Sequence, residues 1–277
     1  MNHVIKFADG TTVPAVGQGT WYMGEDESRH AEEVRALQHG IDLGMTVIDT
    51  AEMYADGGAE IVTGDALTDR RDKVFLISKV LPSNASRRET VAACERSLRR
   101  LRTDHIDLYL LHWRGRYPLE ETVEAMHRLQ KDGKIRMWGV SNFDVDDMEE
   151  LYQLGSTDCA ANEILYNLSR RGVEYDLLPM AGKASMPIIA YSPIEQGRIL
   201  NNPTLADIAR HHGKTPAQIA LAWVLSHNGV MPIPKASNIK HVEQNAESLR
   251  IELTQDDMVL LDRAFPAPKT KIPLEMI

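Results

Sequence analysis

Eight short apolar stretches alternate with helical patterns along most of this 277-residue chain, and that alternation limits the architecture more than any other feature. The stretches cover residues 15–19, 46–49, 74–79, 106–112, 135–142, 159–163, 188–191 and 230–235. Strands separated by helices pair in parallel, and right-handed crossovers place every helix outside the sheet. Eight such units close into a (β/α)8 barrel of TIM type, a fold of about 250 residues. All strand C-terminal ends then share one face. The last seven stretches each stop on a polar or aromatic residue able to do chemistry, so those residues are expected to converge on one pocket.

The helical segments carry their own start and stop signals. Val34, Leu37 and Ile41 recur at helical spacing, and Gly44 ends that run. Ser86-Arg87-Arg88-Glu89 has capping-box spacing ahead of an apolar face of Val91, Cys94, Leu98 and Leu101. Pro118 with Glu120 and Glu121 opens a helix that Asp132-Gly133 closes. Thr215-Pro216-Ala217-Gln218 opens another. Ahead of the barrel, segments 4–7 and 11–13 flank Asp9-Gly10 and read as an N-terminal β-hairpin. No Pro/Gly/Ser-rich linker divides the chain, so residues 1–277 are expected to form a single domain. The tail, 266–277, holds three prolines and no helical pattern, and reads as a frayed end or a substrate loop.

Hydrophobic residues at 43% and charged residues at 26% suit a globular protein with a large core. The net charge is −9 and no block of five or six basic residues occurs, which argues against nucleic acid or an anionic membrane as partner. No apolar run reaches the length of about 18 residues needed for a membrane span. Residues 1–7 lack the basic-then-apolar layout of a secretion signal. Cys94 and Cys159 lie far apart and read as reduced thiols of a cytoplasmic protein. The histidines show no metal-site spacing, so no metal is expected.

Asp49, Lys79 and His112 end three strand patterns, and Tyr54 follows the first of them closely. Each alone has a plain structural explanation, as a cap, a solvated strand end, a core histidine or a packing tyrosine. Together they form a device. A phenol with a pKa of about 10 is a poor acid–base group at neutral pH unless a nearby cation favours its phenolate. Lys79 is the expected cation, held charged and in position by Asp49. His112 is expected to orient a carbonyl oxygen, and Tyr54 to protonate it.

At this point the chain resembles the aldo-keto reductase family. The resemblance rests on Ile48-Asp49-Thr50-Ala51-Glu52-Met53-Tyr54, Ile77-Ser78-Lys79, Asp107-Leu108-Tyr109-Leu110-Leu111-His112, Gly139-Val140-Ser141-Asn142 and Ile233-Pro234-Lys235, in order along the chain. It implies the (β/α)8 barrel, NADPH (NADP+ once oxidised) as cofactor, and Asp49, Tyr54, Lys79 and His112 as the catalytic tetrad. It also implies that Ser141, Asn142 and Glu163 sit at the nicotinamide carboxamide, with Tyr191 stacked on the ring. Thr20, Trp21, Ser192, Pro193 and the loop 193–198 line the cofactor path. Lys235, Ser237, His241, Gln244 and Asn245 serve the adenosine 2′-phosphate and adenine. Two departures stand out. His241 replaces an arginine found in many relatives, and Glu163 replaces a glutamine; as a carboxylate Glu163 accepts hydrogen bonds but cannot donate them. Gly17-Gln18-Gly19 lacks the third glycine of a dinucleotide fingerprint and reads instead as a close-packed barrel strand.

Trp21 and Trp113, with Tyr54 and His112, are expected to wall the substrate site, with Met23 and Met53 as further contributors. By resemblance the chain looks most like bacterial members that reduce small aldehydes, including methylglyoxal, with a small carbonyl substrate as partner and a monomer as the default state. Reduction of sugars, keto acids or larger ketones on the same barrel is the competing enzymatic reading. A regulatory module that senses NADPH is the competing reading of another kind.

Overall fold

Parallel pairing of short, largely buried strands generates the barrel in the computed structural model, which describes residues 4–277. A two-stranded antiparallel hairpin comes first, β1 (Val4–Lys6) and β2 (Thr12–Pro14), joined across Asp9-Gly10 as expected. Eight parallel strands follow: β3 (Gln18–Gly19), β4 (Val47–Asp49), β5 (Phe75–Val80), β6 (Ile106–Leu111), β7 (Ile135–Ser141), β8 (Asn162–Leu165), β9 (Ile188–Tyr191) and β10 (Val230–Pro232). Their order in the sheet is their order in the chain. A parallel bridge between Gly19 and Lys235 joins the last strand region to the first and closes the cylinder.

Among the described residues ten α-helices flank the strands: α1 (His30–Asp42), α2 (Gly58–Ala66), α3 (Arg87–Leu101), α4 (Leu119–Lys131), α5 (Val145–Gln153), α6 (Leu177–Ala184), α7 (Pro203–His212), α8 (Pro216–Leu225), α9 (Ile239–Glu247) and α10 (Gln255–Ala264). Thr215 and Gln218 cap α8 reciprocally. Ser86 caps α3 from one side only, accepting from the Glu89 N–H at 3.3 Å, because the Glu89 carboxylate pairs with Arg88 instead.

Strand alternation divides the core in two. One set of side chains meets the helices. The other fills the barrel, with Val47, Phe75, Ile77, Leu108, Leu110, Met137, Ala161, Ile189, Met231 and Ile233 packed together. The hairpin plugs the bottom with Ile5, Phe7 and Val13, and the Phe7 and Phe75 rings stack at 5.1 Å. Gly19 has no room for a side chain, since a Cβ there would lie 2.7 Å from the Ile233 carbonyl oxygen. The close-packed reading of this strand therefore holds.

Two strand ends differ from expectation. The sixth barrel strand runs through Glu163 to Leu165 instead of stopping there, because the Glu163 carboxyl is buried inside the barrel. The regular part of the last strand stops at Pro232, since Pro234 has no N–H to give the ladder. Its carbonyl still accepts from the Gly19 N–H at 3.2 Å, which carries the closure up to Lys235.

Candidate functional site

Moving two residues up each strand from the apolar filling changes the chemistry. Above Val47 stands Asp49, above Ile77 stands Lys79, above Leu110 stands His112, above Ala161 stands Glu163, and above Ile189 stands Tyr191. A period of two therefore converts an oily barrel into a polar floor within one step. Over that floor lies a cavity of about 680 Å³. Asp49, Tyr54, His112, Ser141, Asn142, Glu163 and Tyr191 all line it.

Lys79 lies beneath, fully buried. Its Nζ donates to Asp49 Oδ1 at 2.6 Å, to the Thr50 carbonyl at 3.1 Å and to the Tyr54 hydroxyl oxygen at 3.4 Å. A second carboxyl and fourth partner, Glu163 Oε1, lies 3.3 Å away. Burial works against the ammonium charge, yet the facing Asp49 and Glu163 carboxyls raise Lys79 above an ordinary lysine, so it stays charged. Tyr54 follows the opposite balance. Burial raises its pKa, Lys79 lowers it, and Asp49 and Glu163 raise it again, leaving it above the usual phenol value. The expected pull of Lys79 toward phenolate is present but outweighed. Tyr54 is thus held as a protonated phenol whose oxygen already accepts from an ammonium, leaving its O–H free to donate.

The backbone after Tyr54 is unusual. Ala55 and Asp56 both adopt left-handed conformations, with φ of 51° each, and Gly57 follows at 90°. Gly57 also leaves room for Arg100, whose guanidinium pairs with the buried Glu60; Glu60 in turn accepts from Ser78 at 2.6 Å, beside Lys79. This tight turn drops the Tyr54 ring edge-on against His112, with centroids 5.8 Å apart.

His112 is neutral: burial first, then Lys79, pushes its pKa down to about 2. Its Nδ1 has no hydrogen-bond partner among the described residues. Ser141 donates to the Glu163 carbonyl at 2.9 Å, and Asn142 donates to the His112 carbonyl at 3.1 Å. Asn142 Oδ1 accepts from the Tyr191 hydroxyl at 2.8 Å, fixing that ring on the cavity wall. Glu163 departs from its expected charge. Burial, and then the Asp49 charge, lift its carboxyl well above the usual carboxylate range.

The rest of the expected residues divide between the cavity and its surroundings. Thr20, Trp21, Trp113, Ser192, Pro193 and Lys235 line it, as do Met53 and, from the loop after β9, Ile194, Gln196 and Gly197. Met23 is instead packed in the core. Ser237 stands just outside, accepting from Lys235 Nζ at 2.8 Å and from the Arg29 guanidinium at 3.2 Å. His241, Gln244 and Asn245 lie on α9 away from the cavity wall, His241 exposed and Asn245 buried. Arg29 escaped the sequence reading. It sits 206 positions before Lys235, and only barrel closure brings their side chains to one hydroxyl. Tyr22 also lines the cavity unannounced, and Met276 and Ile277 bring the tail to its wall. The tail reaches it along two latches: Arg170 pairs with Glu275, and Lys271 sits among Asp144, Asp146 and Asp176.

Cys94 and Cys159 are free, buried thiols, each pushed up to about 12, mainly by burial. Among the described residues no helix is long and apolar enough to cross a membrane. Nor do these residues include a group of three or more His, Cys, Asp or Glu side chains arranged to hold a metal ion.

Comparison with known proteins agrees with this geometry. Residues 15–265 match the model of the aldo/keto reductase family. The methylglyoxal reductase YeaE of Escherichia coli (strain K12) is 56% identical, covering 99% of both chains. The glyoxal reductase of Bacillus subtilis (strain 168) is 34% identical over 95% of this chain and 92% of its own. Among solved structures, an aldo/keto reductase from Klebsiella pneumoniae in complex with NADP and acetate superposes with a TM-score of 0.98, is 50% identical and matches over the whole of both chains. Fold, motif order and near-complete coverage lead to one conclusion: the chain belongs to the aldo/keto reductase family.

Proposed function

We propose that the protein reduces small aldehydes, methylglyoxal among them, at the expense of NADPH, with Tyr54 as the proton donor. The observation that carries this reading is the buried Asp49–Lys79–Tyr54 chain of contacts opening onto the cavity beside His112. When bound, NADPH supplies the hydride that no side chain can.

The protein's own groups do the rest. The neutral His112 ring offers an N–H to the carbonyl oxygen, which fixes where the oxygen lies. The Tyr54 O–H gives its proton to that oxygen as it gains charge, a step worth typically about 10²–10⁴-fold. Lys79 then faces the phenolate at the distance from which it faced the phenol, so the new negative charge forms beside a fixed ammonium. Asp49 keeps that ammonium from moving. Solvent returns the proton to Tyr54 before the next turnover.

The wall features fit NADPH. Tyr191 presents a fixed planar ring for a nicotinamide, with Ser141, Asn142 and Glu163 beside it. Lys235 and Arg29 bring two positive charges to Ser237, a fitting cradle for a 2′-phosphate, and Arg29 supplies the guanidinium that His241 does not. Trp21, Trp113 and Met53 give a mostly apolar mouth suited to a small carbonyl compound. The latched tail, with Met276 and Ile277 on the wall, serves as a substrate loop of a single domain. Free buried thiols fit a reducing, cytoplasmic setting.

NADPH oxidation followed against methylglyoxal, glyoxal, aldoses, keto acids and bulky ketones tests the reading. The expected result is the highest kcat/KM for the small dicarbonyls. A preference for sugars or bulky ketones, or NADPH binding without turnover of any of these, would replace it.

A further inference from the structure

Two buried carboxyls and one ammonium share the floor of the cavity, and their hydrogen bonds do not balance. Asp49 and Glu163 converge on the one Lys79 ammonium, yet two carboxylates are both acceptors and cannot satisfy one another. Asp49 Oδ1 takes the Lys79 ammonium at 2.6 Å, whereas Glu163 Oε1 receives it only at 3.3 Å. Glu163 Oε2, buried, has no donor among the described residues. Both side chains are only 2% exposed, so water does not make up the deficit. With both carboxyls ionised the group would carry a net buried charge of −1; with one proton kept, it is neutral.

We infer that the Asp49–Lys79–Glu163 group retains one proton at neutral pH, carried on Glu163, which makes Glu163 a neutral carboxylic acid that positions Asp49 and Lys79 and sets the charge facing the cofactor ring. The better ammonium contact selects Asp49 as the anion, and the Glu163 O–H donates toward it. Tyr54 after β4 and Tyr191 on β9 also bear on Glu163 and neither is a cation, while Lys235, elsewhere on the cavity wall, donates to Ser237. One lysine cannot neutralise two acids.

The consequence concerns cofactor redox state. The oxidised nicotinamide ring bears one more positive charge than the reduced ring, so an ionised Glu163 would favour NADP+ over NADPH. A neutral Glu163 leaves NADPH undisadvantaged, which suits a reductase. This consequence rests on the NADPH reading above, but the proton itself does not.

The test is infrared spectroscopy of the cofactor-free protein carrying 13C-carboxyl glutamate. At pH 7 we expect the carbonyl stretch of a protonated carboxylic acid, shifted by the glutamate label and lost in Glu163→Gln. If that variant does not fold, Glu163→Asp replaces it, and the band must then follow an aspartate label. No such band in the wild-type protein, or a glutamate band that survives substitution, overturns the inference. In a second arm, the ratio of NADP+ to NADPH dissociation constants in Glu163→Gln should stay within about twofold of wild type. A rise of about tenfold or more would mean that a negative charge had been removed, again overturning the neutral acid. The infrared arm uses no cofactor or substrate, so its failure is distinct from failure of the proposed activity.

Discussion

Replacing Lys79 with methionine removes the single cation from the floor of the site while keeping much of its volume. Asp49, 2.6 Å away and 2% exposed, is then left as a buried anion with no cation to offset its charge. Its escape is to take up a proton. For a carboxyl with an ordinary pKa of about 4, protonation at pH 7 costs about 1.4 kcal/mol per pH unit, or about 4 kcal/mol. The independent expectation for breaking a buried pair from one side is about 3–5 kcal/mol. The two agree. The sign with pH follows from the same step. Folded Lys79→Met holds a proton on Asp49 that the unfolded chain releases above pH of about 4, so its deficit relative to wild type grows as pH rises from there. Urea unfolding at pH 7 and pH 5 should show a gap of about 4 kcal/mol narrowing to about 1.5 kcal/mol. The double variant Lys79→Met/Asp49→Asn should recover most of the loss, because no charge then needs a partner. A gap below about 1 kcal/mol at pH 7, or one that does not change with pH, would show that the ammonium is not what holds Asp49 ionised.

His112 predicts an acid-side effect with its own sign. Its folded pKa is pushed down to about 2, whereas the unfolded chain titrates at about 6.5. The unfolded state therefore gains a proton first as pH falls, and this group costs about 2 kcal/mol of stability between pH 7 and pH 5. Wild type should lose that much more than His112→Gln over this range in urea titrations, and kcat/KM should show no limb near pH 6.5; equal losses would mean that the imidazole is not held neutral. Arg29→Ala should weaken NADPH binding about tenfold while leaving NADH nearly unaffected, since one charge-assisted hydrogen bond to the extra phosphate is lost. Fluorescence titration with both cofactors reads this directly, and equal weakening of the two would remove Arg29 from the 2′-phosphate site.

The barrel was legible because its signals are local. Alternating apolar stretches, Thr215 and Gln218 at a helix start, and Asp9-Gly10 in a turn each act over a few residues. The floor of the site was legible for a related reason, since parallel strands bring their last residues to one face whatever lies between them. What escaped depended on contacts between distant segments. Arg29 meets Ser237 only after the barrel closes, and the tail's path to the cavity is set by contacts such as Arg170–Glu275 and the Lys271 ion pairs. Charge states escaped too. Whether Tyr54 keeps its proton depends on how burial weighs against Lys79, and spacing along a chain carries no measure of burial. Glu163 illustrates both. Its position on the sixth barrel strand was anticipated, but as a strand-end carboxylate; the fold places it inside, sharing Lys79 with Asp49, where a carboxylate is the costlier form.

Tyr54→Phe is the most direct test, because it removes one oxygen and leaves the Lys79–Asp49 pair, the cavity and the cofactor wall in place. Steady-state reduction of methylglyoxal by NADPH should fall about 10²–10⁴-fold in kcat, with NADPH binding changed by no more than a few-fold. Turnover within about threefold of wild type would mean that another group delivers the proton, and the role given to the phenol beside Lys79 would be wrong.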